Sequence, residues 1–140
     1  MADALVGKNS KFALGANKVS LMGQWSMSGV SVDLLDNSEF GDDYKQFLIG
    51  QKDGGEISIS GFYDSTDSNG QEALIAANLA DTQLTDVRCY IDGTSYWIPK
   101  TSSPASYCLV TAWNVEASLT GLVTASLTLK ISGAMELLGA

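Results

Sequence analysis

Residues 33–74 have the sequence DLLDNSEFGDDYKQFLIGQKDGGEISISGFYDSTDSNGQEAL, in which an acidic segment precedes a strand, a polar turn and a helix start. Residues 33–55 carry six acids against two lysines, hold several large apolar side chains, and show neither strand alternation nor a helical face. An irregular connection longer than about 12–15 residues is uncommon in a compact domain and is usually functional or ordered by a partner. We therefore predict a long early loop over residues 33–55 that docks on another molecule.

A strand and a helix follow this loop. Residues 56–62 alternate strictly, which predicts a strand with Ile57 and Ile59 facing a core. The turn composition of residues 64–70 leads into a helix predicted across about residues 70–80. Two overlapping capping boxes favour that start, Ser68 with Gln71 and Asn69 with Glu72.

The rest of the chain reads mainly as short strands. Residues 19–32 predict strand pairing with a slip near Gly29, and residues 123–131 alternate between apolar and hydroxylic side chains. Residues 87–98 predict a hairpin, because two β-rich runs flank Asp92-Gly93, the composition of a type I′ turn. We predict one domain over residues 1–140. Its fold is mainly β: an antiparallel β-sandwich or barrel with one short α-helix and the long early loop.

The composition excludes several classes of function. Sixteen acids against eight bases give a formal charge of −8, and no basic face can be assembled from sequence neighbours, so we expect no direct recognition of nucleic acid. The chain has no histidine, which removes the usual general base and most zinc sites. We predict no catalytic residue, metal site, cofactor or membrane segment. We expect Cys89 and Cys108 to be free, buried packing residues.

Two sets of residues leave alternatives open. Six polar residues of two predicted strands, five of them hydroxylic and the sixth Glu56, share one face, which is either an ordinary solvent-facing surface or the lining of a wide polar pore. They are Glu56, Ser58, Ser60, Thr124, Ser126 and Thr128. Five aromatic residues serve either cross-strand packing or a sugar-binding platform. They are Trp25, Tyr90, Tyr96, Trp97 and Trp113. Paired carboxylates of a glycosidase are a weaker alternative.

The sequence resembles the major tail tube proteins of long-tailed, non-contractile bacteriophages. The resemblance covers nearly the whole chain and lies in four segments: Trp25-Ser26-Met27-Ser28-Gly29-Val30, residues 47–64 with the sequence FLIGQKDGGEISISGFYD, Asn69-Gly70-Gln71-Glu72-Ala73-Leu74, and Leu129-Lys130-Ile131-Ser132-Gly133. Similar segments occur in tube proteins of contractile tails and type VI secretion. A carbohydrate-binding or capsid-decoration β-sandwich module is a further alternative.

The resemblance implies a sandwich-like structural protein, not an enzyme, that assembles into hexameric rings stacked into a hollow tube through which the DNA genome is ejected. It implies that the loop of residues 33–55 reaches the neighbouring ring, and that an N-terminal arm, residues 1–18, and a C-terminal tail, residues 134–140, join subunit contacts. The expected inter-subunit residues are Leu35, Phe40, Asp42, Asp43, Tyr44, Phe47 and Ile49. The candidate lumen residues are Glu56 and the five hydroxylic residues of the same face.

The implied partners are further copies of the chain together with tape-measure, tail-terminator and tail-tip proteins. Genomic DNA is expected to pass through the tube without specific binding, because the acidic balance gives a channel to which DNA does not adhere. The expected location is the virion tail, after synthesis in the cytoplasm of a bacterial host.

Overall fold

The computed structural model describes residues 7–102 and 105–139. A 3₁₀ turn at Gly7–Asn9 precedes eleven strands and one α-helix in this part of the chain. The elements are β1 Lys11–Leu14, β2 Asn17–Lys18, β3 Met22–Ser28, β4 Ser31–Asp36, β5 Phe47–Asp53, β6 Glu56–Phe62, α1 Gln71–Ala80, β7 Val87–Tyr90, β8 Tyr96–Pro99, β9 Tyr107–Glu116, β10 Thr124–Ser132 and β11 Met135–Leu138.

The strands form two larger sheets and one separate hairpin. Sheet A has five strands in the order β11-β8-β7-β1-β2, and sheet B has four in the order β3-β6-β10-β9. Strands β4 and β5 pair with each other as a third, two-stranded sheet. All of these pairings are antiparallel. The mainly β, sandwich-like fold with one short helix is therefore confirmed, and the sheets do not close into a barrel.

The core lies between the two larger sheets and α1. Sheet B contributes Ile57, Ile59 and Leu129, each at most 1% exposed, while Phe12 of β1 and Leu74 of α1 cover them from other sides. Full burial of such side chains stabilises the fold by roughly 1.5–3 kcal/mol each. Alternation along β6 and β10 puts these apolar residues on one face of sheet B, so the opposite face is left to polar groups.

Both chain ends differ from the prediction. The predicted arm of residues 1–18 is wrong for its described strands: β1 and β2 belong to sheet A, and Phe12 pairs with Cys89 in the core. The predicted tail of residues 134–140 is wrong for β11, which pairs with β8. Residues 1–6 of the arm and Ala140 of the tail lie outside the described residues. In both segments, the structure depends on pairing with a strand that is distant in sequence. The local sequence does not indicate that partner strand.

The long loop is mostly a hairpin. The prediction of irregular structure holds for residues 37–46 and is wrong for β4 and β5, which pair from Ser31 opposite Asp53 to Asp36 opposite Phe47. A bulge between Val32 and Leu34 interrupts the register. Such a bulge hides strand alternation in the sequence, because it shifts the side chains beyond it relative to the partner strand. The slip predicted near Gly29 is the point where the chain leaves sheet B for this hairpin, with φ at +78°.

The helix begins as predicted but is not capped as predicted. Gly70 is the N-cap residue and has no side chain to cap the helix, and the carboxylate of Asp67, three residues earlier, accepts from the backbone N–H of Gln71 at 3.0 Å. Instead of closing a capping box with Ser68, Gln71 is fully buried, and its amide Nε2 donates to the carbonyls of Ser20, at 2.7 Å, and Phe62, at 2.8 Å. Its Oε1 accepts from the backbone N–H of Asp64 at 2.9 Å. The glutamine therefore joins the helix to the turn before it and to the end of β6.

The β7–β8 hairpin is present, but its turn is wider than type I′. The N–H of Ile91 donates to the carbonyl of Ser95 at 3.0 Å, which leaves three residues in the turn instead of two. The Asp92 carboxylate accepts from the backbone N–H groups of Thr94, at 2.8 Å, and Ser95, at 2.7 Å. An aspartate that closes its own turn in this way makes the two positive φ angles of a type I′ turn unnecessary. In the described part of the chain, no helix is long and apolar enough to cross a membrane.

Candidate assembly surfaces

The hairpin of β4 and β5, residues 31–53, is exposed along its whole length. Its large apolar residues range from 40% exposed at Val32 to fully exposed at Phe40. By register, one face carries Val32, Leu34, Phe47 and Ile49, and the other carries Leu35 and Leu48. A two-stranded hairpin with apolar groups on both faces has no core of its own, so it needs a partner to cover it.

All seven predicted inter-subunit residues lie on this hairpin. Leu35 is on β4, Phe47 and Ile49 are on β5, and four lie in the tip between the strands. The tip residues are Phe40, Asp42, Asp43 and Tyr44. The Asp42 carboxylate accepts from the backbone N–H of Glu39 at 2.7 Å, so this acid shapes the tip.

The hairpin is fixed to the body at its base. Gly55 has a φ of +86°, and a Cβ there would meet the carbonyl oxygen of Ser28, so only glycine fits. The Asp53 carboxylate accepts from the Gly55 N–H at 2.8 Å and from Lys130 Nζ at 2.6 Å. The Lys130 ammonium and this N–H together lower the pKa of Asp53. The lysine is 77 positions away in the sequence, so no local pattern indicates this pair.

The five predicted hydroxylic residues and Glu56 lie on one face of sheet B. Ser58 pairs with Thr128 and Ser60 with Ser126, and Glu56 and Thr124 continue the same two columns. The outer strands extend this polar face with Gln24, Ser26 and Ser28 from β3 and with Asn114 and Glu116 from β9. Lys130 is the one cation among the four strands of sheet B. The polar face is therefore broad, rich in small hydroxyl and amide groups, and nearly free of positive charge.

Sheet B has two open edges. In the described residues, β3 pairs only with β6, while β9 pairs with β10 and, at Cys108 near its start, forms an isolated bridge with Leu84 that leaves the rest of its outer edge free. The far half of β9 is exposed on both faces: Trp113 and Val115, which lie opposite core residues of β10, are 38% and 40% exposed. Leu119 and Leu122, in the turn after β9, are 103% and 70% exposed. Long unpaired edges beside exposed apolar residues are ready to pair with another chain. No local sequence pattern indicates these edges, because they depend on the order of strands in the sheet.

The outer face of sheet A collects positive charge. Lys11, Lys18 and Arg88 lie on one face, which we call the basic face, together with Tyr90 and Tyr96. Lys11 Nζ lies 4.4 Å from the centre of the Tyr90 ring, and the Arg88 guanidinium 4.9 Å from that of Tyr96. Arg88 also forms a salt bridge to Asp86 at 3.0 Å. No basic face could be assembled from sequence neighbours, and this one arises because pairing of β1 with β7 joins residues distant in sequence.

The aromatic residues do not share a surface. Trp25 and Trp97 pack against the core, while Trp113 Nε1 donates to Asn78 Oδ1 at 3.1 Å beside the helix. Tyr90 and Tyr96 stack with ring centres 4.9 Å apart on the basic face. Cross-strand packing therefore accounts for these side chains, and the arrangement disfavours a sugar-binding platform.

Both cysteines are free and buried, as expected. Burial raises the pKa of the Cys108 thiol to about 12, and burial, with Cys108 nearby, raises that of Cys89 further. Among residues 7–102 and 105–139, no group of three or more acidic or cysteine side chains is placed to hold a metal ion.

Comparison with known proteins gives a match of structure but not of sequence. No protein-family model matches the chain, and no curated protein matches it. Among solved structures, the tail of an empty gene transfer agent particle with C6 symmetry matches at a TM-score of 0.77 and 14% identity, covering 97% of this chain and 100% of the other. The tail tube of SPP1 matches at 0.61 and 14% identity, covering 98% of this chain and 80% of the other.

Tubes of contractile systems match as well. The sheath-tube complex of an extracellular contractile injection system matches at a TM-score of 0.61 and 12% identity, covering 98% of this chain and 93% of the other. The agreement extends over nearly the full length of this chain and over 80–100% of the compared chains. The chain therefore has the tail tube fold.

Proposed function

We propose that this chain is a structural tail tube protein, which assembles into hexameric rings that stack into the tube of a phage-like tail. Likeness of fold to the tail of a gene transfer agent and to the SPP1 tail tube supports this proposal. The observation that carries it is the construction of sheet B, where one face packs the core, the other is polar, and the edges along β3 and along the far half of β9 are open. A sheet with these properties is built to continue into a neighbouring copy.

Each ring is proposed to close through the edges of sheet B. Strand β9 of one copy pairs with β3 of the next, because both present unpaired backbone groups and a closed ring leaves no edge exposed. This contact is heterologous, so its rotation decides whether it closes into a ring. Six copies then place their polar faces on the inside. Trp113 and Val115, exposed in the single copy, become covered at this contact.

The polar face is proposed to line a channel for DNA. Glu56, Ser58, Ser60, Thr124, Ser126 and Thr128 are the lumen residues in this proposal. DNA binding by proteins depends on lysine and arginine contacts to phosphates. A lining of hydroxyl groups with few cations lets the duplex pass without adhering to it. Genomic DNA is thus cargo in transit and not a ligand.

The hairpin is proposed to join successive rings, with Leu35, Phe40, Asp42, Asp43, Tyr44, Phe47 and Ile49 as contact residues. Further copies of the chain are its main partners. A tube of defined length also needs proteins that start it, measure it and end it, so tail-tip, tape-measure and tail-terminator proteins are the expected additional partners. The virion tail is the corresponding location.

We infer a structural rather than a catalytic role. Asp36, Asp53, Asp64 and Asp92 have a pKa below the usual value, because each accepts hydrogen bonds from nearby groups. A general acid needs the opposite shift, toward a raised pKa. These carboxylates therefore serve turns and the hairpin base.

Negative-stain electron microscopy of the concentrated purified protein tests the proposal. We expect rings or tubes, formed spontaneously or after addition of tail-initiator proteins. Protein that stays monomeric under both conditions contradicts the proposed function. Tubes that bind a contractile sheath protein would place the chain with the contractile systems, which share the fold.

A further inference from the structure

We infer that the acidic hairpin of one copy docks on the basic face of sheet A of another copy, in the adjacent ring. This inference rests on the proposed function and deepens it by naming both sides of the ring-to-ring contact.

The hairpin supplies negative charge together with apolar surface. Residues 31–53 hold six acids against two lysines, a net charge of −4, which is half of the formal charge of the whole chain. Phe40 and Tyr44 at the tip are 109% and 85% exposed. Glu39 and Asp43 flank these rings in the tip. The partner surface must therefore offer both cations and something for aromatic side chains to pack against.

The strands of sheet A are the ones that carry net positive charge. They hold Lys11, Lys18 and Arg88 against one acid, Glu136, a net charge of +2. The strands of sheet B hold two acids against Lys130, a net charge of −1. A surface complementary to the hairpin is thus present on the body, and it lies on sheet A.

The basic face is ordered before it meets a partner. The contacts of Lys11 with Tyr90 and of Arg88 with Tyr96 hold these cations against aromatic rings. Arg88 is already neutralised by Asp86, whereas in the described chain no carboxylate lies within salt-bridge distance of Lys11 or Lys18. These two lysines are therefore the cations that an incoming acidic segment would contact, with the tyrosine rings beside them.

The occupant is another copy, since the hairpin is fixed to its own body at its base, through Gly55 and Asp53. The tip lies at the opposite end of the hairpin from these contacts, so it is presented outward. Exposed ion pairs contribute little affinity, so the apolar side chains supply the binding energy and the charges set orientation and register.

A charge-exchange experiment in the full-length protein tests this contact. The hairpin variant is Glu39→Lys with Asp43→Lys, which spares the turn-forming Asp42. The face variant is Lys11→Glu with Lys18→Glu, and the combined variant carries all four changes. Lys100→Glu, which reverses an exposed cation outside the strands, is the matched control. Circular dichroism checks that each variant is folded, and sedimentation with electron microscopy measures the fraction of protein in stacked tubes.

We expect the hairpin and face variants each to reduce the stacked fraction by at least about tenfold at low salt, because like charges then face each other across the contact. The combined variant should recover most of the loss, and Lys100→Glu should assemble as wild type does. Normal tubes from either charge variant, or a combined variant no better than the single ones, overturn the inference while the proposed function stands. Wild-type protein that never assembles overturns both.

A nucleic acid is the other polyanion that suits a basic face. Titration of the wild-type monomer with a fluorescent DNA duplex tests it. Negligible binding supports the hairpin as occupant. Tight binding that the face variant abolishes, together with unchanged assembly of that variant, overturns the inference.

Discussion

Asp53 compensates the one lysine on the polar face of sheet B. Its carboxylate lies 2.6 Å from Lys130 Nζ, and both side chains are about half exposed. Such a pair adds little to stability, because exposed salt bridges contribute about 0–1 kcal/mol. Its effect on the charge of the polar face is larger, because without Asp53 each copy would present the uncompensated ammonium group of Lys130 on that face.

Asp53→Asn should therefore give tubes that retain DNA. Assembled wild-type tubes are expected not to retain a short duplex, whereas the variant should retain it at low salt and release it as salt rises, as phosphate contacts do. Co-sedimentation of labelled DNA with tubes measures this. Asp53→Asn combined with Lys130→Gln is the control and should behave as wild type. Equal retention by the single and double variants would show that Lys130 does not reach the DNA.

Gln71 is a buried polar residue whose side-chain hydrogen bonds stabilise the fold. Replacement by leucine leaves the carbonyls of Ser20 and Phe62 and the N–H of Asp64 without their partner. An unsatisfied buried group costs about 1–3 kcal/mol, so Gln71→Leu should lower the free energy of unfolding by about 3 kcal/mol. Urea denaturation measures the change. Gln83→Leu, at an exposed position, should have an effect near zero, and similar losses for the two variants would contradict the assigned role.

The two thiols should be unreactive in the folded protein. Burial raises the pKa of both, and the thiolate is the reactive form. Ellman's reagent at pH 8 should therefore label neither cysteine within the time that labels both in denaturant. Rapid labelling of folded monomer would show that one thiol is accessible.

At the scale of elements, the hairpin of residues 31–53 is separable from the fold. Ser28 and Glu56 are opposite each other in sheet B, and Gly29 approaches Gly55 closely at the hairpin base. Removing residues 31–53 and joining Val30 to Gly54 leaves four residues between Ser28 and Glu56, a normal hairpin connection. We expect a folded monomer with a cooperative thermal transition that no longer forms tubes. Tubes of normal length from this variant would remove the hairpin from ring stacking.

Sequence patterns predict those strands and helices whose formation depends on residues close together in the sequence. The alternation of β6 and β10 was visible because both strands have one buried face, and the polar turn before α1 marked the helix start. The hairpin of β4 and β5 was not visible, because its bulge breaks the alternation and both of its faces carry apolar residues. The sequence also did not indicate that β1 and β11 belong to sheet A, because Phe12 is buried only once β1 pairs with β7.

Some of the candidate surfaces could also be predicted from nearby residues, and others could not. The composition of residues 33–55 indicated a docking segment, and the hydroxylic residues of β6 and β10 indicated one common face. Neither the Asp53–Lys130 pair nor the basic face followed from the sequence. Lys11 contacts Tyr90, and Asp53 contacts Lys130, only because strand pairing brings these residues together. Such contacts depend on topology, which a pattern of neighbours does not encode.

At the scale of the whole molecule, acid should destabilise the fold below about pH 4. Asp36, Asp53, Asp64 and Asp92 have a pKa lowered from 3.8 by hydrogen bonds, so the folded state holds their charged forms. The stability that they contribute is fully present above their unfolded pKa and is lost as pH falls through the lowered, folded values. Thermal melting from pH 7 to pH 2 should show a constant melting temperature down to about pH 4.5 and a fall below it. A melting temperature that rises on acidification would contradict this.

In the proposed six-membered ring, the strand count of sheet B sets the width of the channel. Neighbouring strands lie about 4.8 Å apart, so six sheets of four strands, joined edge to edge, have a circumference of at least roughly 115 Å and a backbone diameter of about 37 Å. Tilting the strands widens the ring further. Lost or added strands in sheet B would change the bore in fixed steps, so the width of the passage is set by topology and not by side-chain size.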